Sequence, residues 1–142
     1  MMNVHIERLH PGDDLRASLE AFARRHDVGA ACVLSAVGSL APAVLRLAGR
    51  EQPTVIGGDL ELLTLSGTVS AQGLHLHASV ADADGRVTGG HLMAGSIVRT
   101  TMELVIGIAV GWEIRRTFDP ATGHREMQAE HRDALLGARG PD

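Results

Sequence analysis

The sequence predicts an α+β domain: a mixed, largely antiparallel β-sheet with one main N-terminal helix. Three observations carry that prediction. Most apolar residues fall in short runs rich in Val, Ile, Leu and Thr, bounded by Gly, Asp and Pro. Only one segment, near the N-terminus, repeats its apolar residues at helical spacing. Glycine is abundant, at 17 residues, which suits tight turns and bulges.

Residues 4–9 read as a first strand, broken by His10-Pro11-Gly12. Asp13 or Asp14 can cap the helix that follows. In that helix Leu15, Leu19 and Phe22 recur at i, i+4 and i+7 and form one apolar face. Arg24, Arg25 and His26 close it, where cations suit the helix dipole. Residues 30–37 form a nearly continuous apolar run, a buried strand that Gly38-Ser39 interrupts. Residues 44–47 are a brief strand and 48–53 a polar loop. Residues 54–70 are strand-like, with Gly57-Gly58 as a break. Residues 74–82 and 86–93 form a hairpin, 97–110 a long strand, and Gly111 a turn into a last strand at 112–118. Asp119-Pro120-Ala121-Thr122-Gly123 is a turn. Residues 126–142 read as a polar tail, mobile at least at its end, outside a core of about 5–125. No repeat or linker divides the chain, so residues 1–142 read as a single domain.

The hairpin carries the chemistry. A strand places residues i and i+2 on one face, so His75 and His77 project side by side while Leu74, Leu76 and Val80 enter the core. A two-residue turn at Asp84-Gly85 would set His91 opposite Ala78, on the wrong face. A three-residue loop, Ala83-Asp84-Gly85, pairs Asp82 with Arg86 and therefore His77 with His91. The third residue of such a loop takes the left-handed conformation, and here it is Gly85. Three imidazoles converging in this way suit Zn²⁺ or a similar transition metal, with a fourth position open for water or a ligand. The competing reading is a set of half-buried polar side chains with backbone partners.

Composition excludes several classes. The 13 basic residues are all arginine. Lysine Schiff-base chemistry and a phosphate-binding Gly-Lys-Ser/Thr loop are therefore impossible. A net charge of −4 and the scarcity of aromatic residues oppose a broad nucleic-acid surface or a base-stacking platform. No run of 18 apolar residues offers a transmembrane helix, and the N-terminus has no secretory-signal pattern. Cys32, the one cysteine, lies in an apolar run and reads as a small core residue. The expected location is the cytoplasm.

The run Gly58-Asp59-Leu60-Glu61-Leu62-Leu63-Thr64-Leu65-Ser66-Gly67-Thr68-Val69 resembles the strand signature of the plant-and-prokaryote-conserved (PPC) domain family. His75-Leu76-His77-Ala78-Ser79, Asp84-Gly85-Arg86-Val87, Gly89-Gly90-His91-Leu92, Gly95 and Thr100-Thr101-Met102-Glu103-Leu104-Val105 resemble its prokaryotic branch. The likeness covers roughly residues 5–125. It implies an α+β sheet domain that assembles as a homotrimer, with a divalent metal, often zinc, on His75, His77 and His91. It also implies a DNA-binding or DNA-associated regulatory role. That label comes largely from plant members that join the domain to an AT-hook, a basic arm centred on Arg-Gly-Arg-Pro. Here Arg139-Gly140-Pro141 is only a fragment of one.

The alternative is a small zinc-dependent enzyme, a lyase or hydrolase, acting on a carboxylate-bearing metabolite. A tri-histidine Zn²⁺ depresses the pKa of bound water toward about 7. Glu103 is the best candidate for a general acid or base, since a carboxylate is out of place in its Thr- and Val-rich strand. Glu61 is a weaker one. Arg99 is a candidate for binding a ligand carboxylate, and a small anion is expected in the open position. His5, His10, His26, His124 and His131 read as surface residues.

Overall fold

The computed structural model describes residues 1–132. They form β1 (Met2–Leu9), α1 (Leu15–Arg25), β2 (Ala31–Leu40), β3 (Ala43–Arg46), β4 (Thr54–Ile56), β5 (Leu60–Ser70), β6 (Gly73–Ala81), β7 (Val87–Leu92), β8 (Val98–Ala109), β9 (Trp112–Asp119) and β10 (His124–His131). Eight strands make one sheet in the order β1-β8-β2-β5-β6-β7-β3-β4, and β9 and β10 make a separate two-stranded ribbon. Every neighbouring pair is antiparallel. The expected fold class is the observed one.

Asp14 is the helix cap: its Oδ1 accepts from the Ala17 N–H at 3.0 Å. Its Oδ2 accepts from the Gly95 N–H at 2.6 Å, which ties the start of α1 to the segment after β7. Leu15, Leu19, Phe22 and Ala23 turn toward the sheet and are buried. They meet Leu76, Leu104, Ile106 and Leu92 in one core. Alternation does the rest. Along β6, Leu74, Leu76, Ala78 and Val80 are buried and His75 and His77 are exposed. Along β8, Met102, Leu104 and Ile106 are buried. One face of the sheet therefore holds α1 and the core, and the other is open.

Three details differ from the sequence expectation. β2 is not interrupted at Gly38-Ser39 but runs on to Leu40, with register shifts between Val33 and Ser35 and between Gly38 and Leu40. Bulges absorb the extra residues without ending the pairing. Residues 54–70 do break at Gly57-Gly58 as expected, but the two pieces lie apart in the sheet. β4 pairs with β3 at the sheet edge, while β5 lies between β2 and β6 in the middle. The third is β10, in a stretch expected to be a polar tail from residue 126. It pairs along its whole length with β9, from His124 opposite Asp119 to His131 opposite Trp112. The end of that tail, and with it the Arg139-Gly140-Pro141 fragment, lies outside the described residues.

Leu76 is fully buried in the strand that carries two of the histidines, whereas Val87 on β7 is 59% exposed. Leu76→Ala should cost about 2–5 kcal/mol in urea unfolding, because it leaves a cavity in the core. Val87→Ala should stay within about 0.5 kcal/mol of wild type.

Candidate metal centre

The turn between β6 and β7 sets the site. The Asp82 N–H donates to the Arg86 carbonyl at 3.0 Å, and the Gly85 N–H donates to the Asp82 carbonyl at 2.9 Å. Gly85 has φ +77°, in the left-handed region that a side chain disfavours. The Asp82 carboxylate reinforces the loop by accepting from the N–H groups of Asp84 and Arg86, both at 2.9 Å. This is the three-residue loop read from the sequence. It places His77 directly opposite His91.

The ladders extend that row across four strands. Ser66 on β5 pairs with His77, His77 with His91, and His91 with Arg46 on β3. His75 lies two residues along β6, opposite Thr68. Gly67 stands between Ser66 and Thr68 with φ +142°, and a Cβ there would sit 1.9 Å from the His75 carbonyl oxygen. Glycine alone lets β5 approach β6 this closely beneath the histidines. From the core side, the Arg16 guanidinium on α1 donates to the Leu92 carbonyl at 3.0 Å, next to His91.

The three imidazoles converge. His75 Nε2 and His77 Nε2 are 3.2 Å apart. One ligand nitrogen from each of His75, His77 and His91 lies within 4.8 Å of the others. Nitrogens bound to zinc at about 2.0–2.1 Å in a tetrahedron are about 3.3 Å apart. The His75–His77 pair already stands at that spacing, and a small ring rotation brings the third nitrogen onto the same cation. The protonation state fits too. Desolvation, then the nearby Arg46 charge and the other histidines, lowers the His91 pKa to about 4. Desolvation, with the His77 and Arg116 charges, lowers that of His75 below the usual 6.5. Both rings are neutral at pH 7, the form a cation requires.

A cavity of about 350 Å³ opens over the cluster, lined by Arg46, His75, His91, Arg116, His124 and Glu126 among others. A second opening of about 580 Å³ reaches His77 from the side of residues 47–51. One wall of the first cavity is the β9–β10 ribbon. Arg116 on β9 donates through Nη2 to Thr68 Oγ1 at 3.0 Å, beside His75.

The other sequence candidates are not brought to this cluster within one chain. Glu103 is exposed on the same outward face, between Arg8 of β1 and Val37 of β2. β8 is three strand positions from β6, about 14 Å across a sheet. Glu61 pairs with Ser39 and Ala81. Arg99 forms an ion pair with Asp59 at 2.7 Å and does not line either opening. Of the five remaining histidines, His5 packs on Phe22 with ring centroids 4.7 Å apart, and His131 stacks edgewise on Trp112. His124, read as a surface residue, lines the cavity. Sequence reasoning did not find Arg46, Arg116 or Glu126. Their approach depends on long-range pairing, β3 to β7 and ribbon to sheet, which no local pattern encodes.

Comparison with known proteins decides the family. Residues 1–110 match the model of the Plants and Prokaryotes Conserved (PCC) domain. The chain belongs to this family. It is 46% identical over 129 residues to a bifunctional protein GlmU of Synechococcus sp. (strain JA-3-3Ab), matching 91% of this chain and 21% of that protein. The chain thus spans about a fifth of the length of that curated relative. It is 31% identical over 121 residues to AT-hook motif nuclear-localized protein 2 of Arabidopsis thaliana, covering 75% of this chain and 34% of that one. Among solved structures, a hypothetical protein from Salmonella enterica superposes with a TM-score of 0.91 at 36% identity, covering 93% of this chain and 96% of that one. A metal-containing protein from Archaeoglobus fulgidus superposes with a TM-score of 0.78 at 30% identity, covering 89% and 93%. The PCC segment carries all three histidines, and the β9–β10 ribbon lies beyond it.

The lowered histidine pKa values predict a pH dependence of the metal-free protein. Between pH 6.5 and about 4 the unfolded chain binds a proton at position 91 that the folded chain refuses. This contribution to stability is complete above pH 6.5 and is lost as pH falls toward 4. The urea midpoint of wild type relative to His91→Gln should therefore drop across that window, and NMR should show the His91 ring titrating well below 6.5.

Proposed function

We propose that this PCC-domain chain is a homotrimeric metal-binding protein. In this reading His75, His77 and His91 hold one divalent cation, zinc by the character of its donors, with a coordination position open to the cavity. The observation that carries the reading is the mutual approach of three ligand nitrogens within 4.8 Å, with two of the rings held neutral. The Archaeoglobus neighbour, which is described as metal-containing, supports it. When bound, the cation would supply a Lewis acid and an acidified water. The chain's own residues hold it, lower the proton affinity of His75 and His91, and line the approach.

Assembly is supported by the sheet's outward face. Val4 and Ile6 on β1, Val37 on β2 and Leu63 on β5 are 58%, 75%, 61% and 49% exposed. An apolar sheet face of this kind needs a partner. Glu103 stands among these residues, so any acid–base role for it requires a neighbouring subunit to bring it over the histidines.

The relation to the AT-hook protein favours a second reading, DNA-associated regulation. The charge of −4 and the absence of an Arg-Gly-Arg-Pro core from this sequence weigh against DNA binding by the chain itself. No helix among the described residues is long and apolar enough to cross a membrane.

Elemental analysis of purified protein should find one zinc or similar ion per chain. His77→Ala should abolish it, whereas Glu103→Ala should leave it intact. Loss of the metal in the Glu103 variant would make that carboxylate a ligand and close the site. Light scattering should return three times the chain mass, and a monomer at micromolar concentration would refute the assembly. Titration with duplex DNA should show only weak binding that disappears as salt rises. Tight binding to a defined duplex at physiological salt would establish the DNA reading instead.

A further inference from the structure

We infer that strand β3 and the β9–β10 ribbon build an anion site over the histidines, in which Arg46 and Arg116 clamp a small, doubly charged oxyanion. This inference rests on the proposed metal centre and names the ligand class of that centre. Three features of the geometry lead to it.

The two guanidinium groups flank the cluster from opposite sides. Arg46 is the immediate cross-strand neighbour of His91 on β3. Arg116 comes from the ribbon and is anchored to Thr68, the cross-strand neighbour of His75 on β5. A residue directly across a ladder has its Cβ about 4.5–5.5 Å away, which sets Arg46 beside His91 and the Thr68 partner of Arg116 beside His75, and both arginines line the cavity that those histidines line.

Arg116 is under-satisfied. Its Nη2 donates to Thr68, but its Nε is buried without a hydrogen-bond partner among the described residues. A buried charged donor left unpaired is costly, and arginine at such a place suits planar recognition of carboxylate or phosphate. The ribbon itself is braced for the task. Arg125 on β10 donates through Nε and Nη2 to the Arg116 carbonyl, at 3.1 and 2.6 Å, and so fixes the backbone that presents the Arg116 side chain.

The charge around the cavity is unbalanced. Among the described residues its lining includes Arg46, Arg116 and Arg125 but a single carboxylate, Glu126, whose Oε1 already accepts from Thr122 at 2.8 Å. Three neutral imidazoles leave a divalent cation its full charge. Two guanidinium groups beside such a cation repel it unless an anion lies between them. An oxyanion with one oxygen toward the open coordination position and the others toward Arg46 and Arg116 relieves all three. The cavity, about 350 Å³, is at the small end of ligand sites and adjoins the 580 Å³ opening, so it suits the compact anionic group of a ligand. Dicarboxylates and phosphate-bearing molecules share this chemistry.

The test uses protein loaded with Co²⁺ and desalted, whose visible absorption reports a ligand entering the metal's open position. Malonate and inorganic phosphate are the probes, with affinities measured by calorimetry in parallel. Wild type should bind at least one of them with a change in the cobalt bands, and the stronger of the two identifies the source. Arg46→Gln and Arg116→Gln should each weaken binding by about tenfold or more, the loss expected for a hydrogen bond to a charged group, while keeping one metal per chain. Glu126→Gln should tighten binding, since it removes a like charge. Arg46 is exposed, so its variant remains informative if Arg116→Gln fails to fold. A metal-loaded wild type that binds neither probe, or arginine variants with unchanged affinity, would overturn the anion site and leave the metal centre standing. Failure to take up metal at all would overturn both.

Discussion

A β-ladder alternates its side chains with a period of two, so the β6–β7 register governs everything that lies on the open face. A slip of one residue would turn His91 into the core and bring Leu92 out beside His77. The cost would be large, because Leu92 is fully buried beneath the sheet. The loop at Asp82–Arg86 and the burial of alternate residues on β6 and β7 thus enforce the same pairing. Neither constraint refers to a metal. The histidines meet because the hydrophobic core and the turn leave them no other place, and a cation would enter a site whose donors are already gathered.

That arrangement divides the work between two faces. α1 and the core occupy one, and Arg16 links them to the carbonyl beside His91 through 3.0 Å. The other face carries the cluster at one end and exposed apolar residues at the other. Stability and chemistry are therefore supplied by alternate residues of the same strands. Gly67 shows how tightly the two are joined: the glycine that permits close packing of β5 on β6 lies between the partners of His77 and His75.

Local information was enough for much of this. The helix with its Asp14 cap, the Gly111 turn and the Asp119–Gly123 turn all follow from residue types within a few positions of one another. The same holds for the three-residue loop, and hence for the pairing of His77 with His91. β10 was not legible, because His124-Arg125-Glu126-Met127-Gln128-Ala129-Glu130-His131 has only two apolar residues, Met127 and Ala129, and no β-branched residue. It is a strand because β9 pairs with it, and tertiary pairing overrides weak propensity. Arg46, Arg116 and Glu126 were hidden for the same reason. Glu103 is a carboxylate in a Thr- and Val-rich strand, yet oddity within a strand says nothing about which distant strand lies beside it.

The distribution of charge bears on what such a face can recognise. The chain is acidic overall, so its arginines do not merge into the broad positive surface that a nucleic-acid backbone engages through many phosphates. Arg46 and Arg116 instead line one concave space together with His75 and His91. A duplex is convex and presents its charges in a long row, whereas this cavity gathers its positive charge at one point. The low pKa of His91 comes first from desolvation of its half-buried ring and then from the Arg46 charge beside it, and the charge that resists a proton there would also attract an anion. Concavity, focused charge and neutral nitrogen donors together favour one small anion over a polyanion, and they do so through residues supplied by both the family segment and the ribbon beyond it.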